Sequence, residues 1–356
     1  VDREWLEAWG WDDDWADRLA RLTAEPVDVA RVVGQDRARW SVRTRSGAES
    51  ARVATGSELD PYPVVGDWVV VESGPAPADP RSIVAVLPRR SSFSRGVAGS
   101  GASEHVLAAN VDVVWVVHGL DAPVHPRRIE RYLTLAWESG ARPEVVLTKS
   151  DLAEDPEAAA ARAREIAIGV EVRVVSAREP RSGRELRASL APGRTVVLLG
   201  PSGVGKSTLV NLLAGTELAA TGAVRAGDRK GRHTTTRREL FRLEGGALLL
   251  DTPGLRELRV WEVEEGLERA FPEIRELARS CRFRDCRHES EPGCAVLEAA
   301  ASGRLDEARL ESFRKLRAEA DHQRRKSDPR ARAEAVAGHK TALKTLKYHP
   351  KYRGRS

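Results

Sequence analysis

No apolar run in the 356 residues approaches the 18 or more that a membrane-spanning helix requires, so no membrane partner is expected. The first twenty residues also lack the apolar stretch of a secretory signal, holding instead seven acids: Asp2, Glu4, Glu7, Asp12, Asp13, Asp14 and Asp17. A cytoplasmic protein is expected. Cysteine is scarce, with three in all; an odd number confined to one short stretch disfavours a closed disulfide framework and points to metal or chance. Net positive charge is missing from most of the chain. The formal charge is +5, but from Glu311 to Ser356 there are 14 Lys or Arg against 5 Asp or Glu, so this end carries +9 and the rest sums to −4. A concentrated basic end suits a polyanion through counterion release, although a solvated helix face gives the same count.

What is present divides into segments. The length suggests two or three domains, and 41% hydrophobic residues suffice for real cores. Residues 1–27 form an acidic, Trp-rich extension in which Trp5, Trp9 and Leu19 fit one helical face, read as a docking helix. Residues 28–92 hold five short β-rich segments separated by turn residues, the pattern of a small OB-type β-barrel. Residues 93–105, with the Gly/Ser-rich run Gly96 to Ser103, read as a linker or loop. From 106 to 265 strands and helices alternate, which implies a mostly parallel, doubly wound sheet covered by helices. Residues 266–320 carry the cysteines, and 321–356 form a basic tail.

The most legible chemistry is Gly200-Pro201-Ser202-Gly203-Val204-Gly205-Lys206-Ser207, followed by Thr208, a G-x-x-x-x-G-K-[ST] phosphate loop between a predicted strand and a predicted helix. Its glycines let backbone N–H groups face phosphates, Lys206 reaches the β and γ phosphates, and the Ser207 hydroxyl is a Mg²⁺ ligand. A ligand-free glycine-rich turn is the alternative, disfavoured by correct flanks on both sides. Downstream, the strand Ala247 to Asp251 ends in D-x-x-G, where Asp251 holds Mg²⁺ through water and the Gly254 N–H senses the γ-phosphate. Upstream, Thr148-Lys149-Ser150-Asp151 matches [NT]-K-x-D: Asp151 accepts N1–H and the 2-amino group of guanine, a donor pair adenine lacks, while the Lys149 stem lies along the base. Ser176-Ala177 offers a backbone N–H to guanine O6. Alone, T-K-S-D is a weak match; agreement of the motifs, each after an apolar strand, is the stronger signal.

The order is permuted, with guanine motifs before phosphate loop and switches. Beyond them Cys281, Cys286, His288 and Cys294 are spaced C-x4-C-x-H-x5-C, which fits one closed, structural Zn²⁺ site.

Permuted motifs, zinc spacing and barrel together resemble the RsgA family of small ribosomal subunit biogenesis GTPases, over about Val29 to Ala320. The resemblance implies an N-terminal OB domain, a central circularly permuted P-loop GTPase domain and a C-terminal helical zinc domain, hence a multidomain α/β fold. It further implies GTP hydrolysis to GDP stimulated by the small ribosomal subunit, a role in its late maturation, and binding of its 16S rRNA through the OB and zinc domains; a monomer is expected. It places switch I at Gly231-Arg232-His233-Thr234-Thr235-Thr236, with one threonine, taken as Thr235, closing on Mg²⁺. Two features depart from the family pattern: Thr148 stands where Asn is commoner, which is expected to loosen contacts around the base, and the acidic Trp-rich N-terminus with the long basic tail is not a family-wide feature. Separately, Leu255 follows Gly254 where Ras-like enzymes carry a water-orienting Gln, which predicts slow intrinsic turnover. The resemblance offers His233 as the catalytic substitute, with Arg232, Arg237 and Arg238 as competing charge stabilisers. An ABC-type ATPase lacks support because there is no L-S-G-G-Q signature and Asp251 is followed by Thr252 instead of Glu. A non-catalytic RNA-binding scaffold with a vestigial nucleotide site remains the rival reading.

Overall fold

A computed structural model describes residues 3–36, 38–54, 56, 58–73, 79–96, 104–215, 238–251 and 263–327. Strands β1 (Asp28–Asp36), β2 (Arg39–Thr44), β3 (Gly47–Val53), β4 (Trp68–Glu72) and β5 (Arg81–Val86) pair in the order β1-β2-β3-β5-β4, and β4 returns to β1, closing a five-stranded barrel. Alternation along each strand sends Ala30, Val32, Trp40, Val42, Val69, Val71 and Ile83 inside. On β4, however, four consecutive residues, Trp68 to Val71, are all buried. The outward pair is covered by the N-terminal segment, where α1 (Arg3–Ala8) and α2 (Asp13–Leu22) bring Leu6, Trp11 and Trp15 against Trp68, Val70 and Leu87.

The N-terminal segment is therefore packed onto the outside of the barrel as part of the fold. Gly10, at φ +87°, breaks the single helix expected from Trp5, Trp9 and Leu19. The Trp11 and Trp68 rings meet edge to face at 4.8 Å. Asp12 caps α2 at the N–H of Trp15, and Arg90 donates to Asp12 at 2.8 Å, to Asp14 at 2.7 Å, and lies over the Trp15 ring. The segment read as a linker also contains regular structure. β6 (Ser92–Gly96) and β7 (Glu104–Ala109) pair antiparallel.

The second half is built on β8 (Val113–Gly119), α3 (Pro126–Glu138), β9 (Arg142–Thr148), α4 (Pro156–Ile166), β10 (Glu171–Val174), α5 (Pro180–Ala188), β11 (Thr195–Leu199), α6 (Lys206–Ala214), β12 (Arg238–Arg242) and β13 (Leu248–Asp251). The sheet order is β10-β9-β8-β11-β13-β12, parallel except for β12, with apolar clusters on both faces. β12 in turn pairs antiparallel with β1, Gly34 opposite Glu239 and Gln35 opposite Arg238, so barrel and central sheet share one hydrogen-bonded ladder. Arg31, buried at this seam, donates to Thr195 Oγ1 and Asn110 O and lies over the Trp68 ring; desolvation lowers its pKa to about 10.

The C-terminal part comprises α7 (Glu264–Ala270), α8 (Pro272–Ala278), a cysteine-bearing loop, α9 (Ala295–Ala301) and α10 (Glu307–Ser327), which runs past residue 320. A buried clamp fixes α10 to the central domain. Arg309 donates to Glu130 of α3 at 2.9 Å, to Ala270 O at 2.9 Å, to Ile166 O at 3.1 Å and to Glu273, while Ser312 donates to the other oxygen of Glu130. A bidentate pair, Arg131 with Glu319 at 2.6 and 2.7 Å, extends the contact.

Candidate functional site

Because β8, β9, β10, β11 and β13 run parallel, the residues at their C-terminal ends fall on one edge of the sheet. The phosphate loop leaves β11 there and enters α6. Its backbone needs glycine. Gly200 has φ +154°, and a Cβ on it would lie 2.5 Å from Val117 O; Gly203 and Gly205 stand at φ +84° and +98°. Lys206 is buried and donates to Gly200 O at 2.6 Å and to Pro201 O, which holds its amine on the loop. Ser207 and Thr208 follow in the first turn of α6, where unpaired amides and the helix dipole favour an anion.

Thr148, the last residue of β9, is 4% exposed, and its hydroxyl lies 2.5 Å from Val204 O and 3.3 Å from His118 O. One proton serves one acceptor well, and the shorter contact goes to the phosphate loop. Thr148 thus ties the end of β9 to the phosphate loop. Lys149 takes a left-handed φ of 58°, and its amine pairs with Asp121 at 2.6 Å. Asp151 accepts from Ser176 Oγ at 2.7 Å and pairs with Arg178 at 3.3 Å. The Ser176 hydroxyl, more than the arginine, holds the Asp151 carboxyl below the usual range. An ionised Asp151 is the state that accepts two guanine donors. Ser176 and Ala177 lie beside it, after β10.

Asp251 ends β13, directly opposite Glu239 of β12. Gly254, Leu255, and the switch I run with Arg232, His233, Thr235 and Arg237 lie outside the described residues. Arg238 is described, heads β12, and has its pKa lowered by burial. Asp121 and Arg178 are contributors that sequence reasoning missed. For Asp121 the available signal was an acid two residues beyond a buried strand, at the edge where the other motifs converge.

The ligand atoms of Cys281, Cys286, His288 and Cys294 all lie within 4.8 Å of one another. Cys281 Sγ is 3.8 Å from Cys294 Sγ and 3.7 Å from His288 Nδ1, and the latter is 3.4 Å from Cys294 Sγ. With metal–sulfur bonds of about 2.3 Å, a tetrahedral site has sulfur–sulfur edges of about 3.8 Å, so the donor set fits zinc. Local sequence prepares it. His288 adopts φ 60°, Cys294 caps α9 and accepts from Leu297 N, and Glu291 accepts from the N–H groups of Arg287, Glu289 and Ser290. Those amide bonds, led by that of Arg287, lower the Glu291 carboxyl to about 2.

Comparison with known proteins adds to this geometry. Residues 86–261 match the family model described as RsgA GTPase. Proteins named small ribosomal subunit biogenesis GTPase RsgA include one from Streptomyces coelicolor, 48% identical over 334 residues, covering 92% of this chain and 90% of its own length. One from Opitutus terrae is 44% identical over 344 residues, covering 92% and 94%. Among solved structures, the circularly permuted GTPase YloQ superposes with a TM-score of 0.61 at 23% identity, over 84% of this chain and 96% of that one. YjeQ from Thermotoga maritima gives 0.59 at 25%, over 82% and 97%.

Proposed function

The chain belongs to the RsgA family of small ribosomal subunit biogenesis GTPases, and from that membership we propose how its own residues bind and hydrolyse GTP on the small subunit. The observation that carries the reading is the junction of Thr148 with Val204, which joins a base-reading strand to a phosphate loop at one sheet edge. Asp151 reads the guanine donors, Lys149 flanks the base, and Ser176-Ala177 meets O6. The amides of Gly203 to Ser207 and the Lys206 amine hold the phosphates. Ser207, Thr235 and Asp251 would hold Mg²⁺, which when bound would offset charge developing on the transferred phosphoryl group. Gly254 senses the γ-phosphate.

Leu255 has no group to orient water, so that task falls to His233 or to the partner. Cys281, Cys286, His288 and Cys294 hold one structural Zn²⁺, which leaves no open position for chemistry. The partner is the small subunit with its 16S rRNA, contacted through barrel, zinc region and basic tail, and the protein works in the cytoplasm as a monomer. Barrel, GTPase and zinc units follow the divisions near residues 28, 106 and 266.

Hydrolysis measured with and without purified small subunits tests the reading. Stimulation by orders of magnitude is expected, as an external activator provides where part of the machinery is missing, and no stimulation refutes it. His233→Ala should lower stimulated turnover with nucleotide affinity nearly unchanged. Full stimulation of that variant would move the role to a ribosomal group or an arginine such as Arg238.

A further inference from the structure

We propose that the cleft between the metal loop and helices α7, α8 and α10 binds an unpaired stretch of RNA, one base stacking on Phe283 and the flanking phosphates meeting arginines. The proposal rests on the functional reading above and says how the partner's RNA is held at this face. The cleft has a volume of about 720 Å³, within the range of about 300–1,000 Å³ typical of small-ligand sites and too small to admit a duplex.

Phe283 is the first element. It is 42% exposed at the cleft wall, although most large apolar side chains of the chain are buried. Its place is fixed, because it lies between two of the clustered cysteines, its carbonyl accepts from Cys286 N, and the neighbouring Arg282 N bonds Gly293 O at 3.0 Å. The Arg282 guanidinium sits 5.6 Å from the Phe283 ring. An exposed ring held on a rigid loop costs little entropy to use, and a flat apolar face beside a guanidinium is the platform on which bases stack whatever their sequence.

Charge is the second. Arg275, Arg284 and Arg317 line the same cleft, and none has a salt-bridge partner among the described residues. Arg287 and Arg324 both approach the carboxylate of Asp321, at 4.0 and 3.9 Å. Apart from Asp321, the acids of the cleft, Glu138, Glu264 and Glu268, lie at its α7 end. Arginine forks match phosphate oxygens, and the acidic end opposes a backbone running straight through. A loop or single strand satisfies both; an acidic peptide would use the arginines but leave the ring without a stacking partner.

The test compares, by fluorescence anisotropy on the full zinc-loaded chain, a labelled single-stranded oligouridylate with a paired RNA of equal length. Wild type should prefer the single strand. Phe283→Ala should weaken single-strand binding about tenfold and leave duplex binding unchanged, while Phe283→Trp retains it. Arg275→Gln and Arg317→Gln should each flatten the slope of log affinity against log salt by about 0.7. Zinc content, measured in each variant, should stay at the wild-type level. If Phe283→Ala binds the single strand as wild type does, or if poly-glutamate displaces RNA as readily as RNA itself, the assignment is overturned. Absent small-subunit stimulation of wild type would sink the functional reading and leave this comparison intact; normal stimulation with an indifferent Phe283→Ala sinks the cleft alone.

Discussion

Thr148→Val is the sharpest single probe of the nucleotide site, because it changes a hydroxyl into a methyl of nearly the same shape. The site is 4% exposed, so steric change is small and water cannot readily replace the lost donor. The removed bond is the 2.5 Å contact to Val204 O, in the phosphate loop one residue before Gly205, the N-cap of α6. Leaving a buried acceptor without its donor costs about 1–3 kcal/mol. If most of that appears as lost preorganisation of the loop, GDP and GTP affinity should fall roughly five- to a hundredfold, since about 1.4 kcal/mol is tenfold. Any remainder should appear as a lower melting temperature without nucleotide. Thr148→Ser retains the hydroxyl and should keep affinity within a fewfold of wild type. Titration with fluorescent N-methylanthraniloyl-GDP, beside melting curves of the nucleotide-free protein, separates the two effects. Wild-type affinity and wild-type melting in Thr148→Val would show that the contact contributes nothing, and the argument joining base strand to phosphate loop would fail.

Asp151→Asn should weaken GTP binding roughly ten- to a hundredfold, the worth of a charged hydrogen-bonding pair, and shift preference toward xanthine nucleotide; competition titrations in which wild type holds ATP as tightly as GTP would contradict the assignment. Arg309→Met removes one partner from a buried ion pair in which Glu130 is 2% exposed, and should destabilise the α3–α10 contact by about 3–5 kcal/mol. Hydrogen exchange in α10 reads this, and protection unchanged from wild type would contradict it. Glu291, lowered to about 2 from an ordinary 4.5, favours the folded loop above pH 4.5, and that contribution is lost as pH falls toward 2. An NMR titration of its carboxyl should have its midpoint near 2, and an ordinary midpoint would show that the three amide bonds do not form in solution.

The motifs were legible because their chemistry is local. Gly200 to Ser207 is a contiguous loop, Thr148 to Asp151 is four residues at a strand end, and Cys281, Cys286, His288 and Cys294 lie within fourteen positions of sequence. The barrel strands and the parallel sheet were readable from period and apolar runs. What stayed hidden depended on distant partners. Trp11 and Trp15 bury against Trp68, more than fifty residues away, whereas helical periodicity grouped Trp5, Trp9 and Leu19 and took no account of Gly10. Residues 93–105 looked like a linker because glycine and serine dominate the run between β6 and β7 and mask the paired ends. Nothing in Arg238-Glu239-Leu240 announces that its strand joins the barrel, since an edge strand's sequence does not name its neighbour.

That seam between β1 and β12 has a consequence for how the chain avoids sticking to itself. A strand at the margin of a sheet offers bare N–H and C=O groups to any passing chain. Here the barrel covers the outer margin of β12 at Gly34 and Gln35, and the closed barrel has no margin of its own; among the described strands of the joined sheet, β10, which itself carries the charged Glu171 and Arg173, is left at the open side. A fragment cut to residues 86–261, the span of the family match, would keep the nucleotide motifs and shed this cover. Its β12 would become an uncapped template, so the barrel protects the solubility of the nucleotide-binding core whatever else it binds.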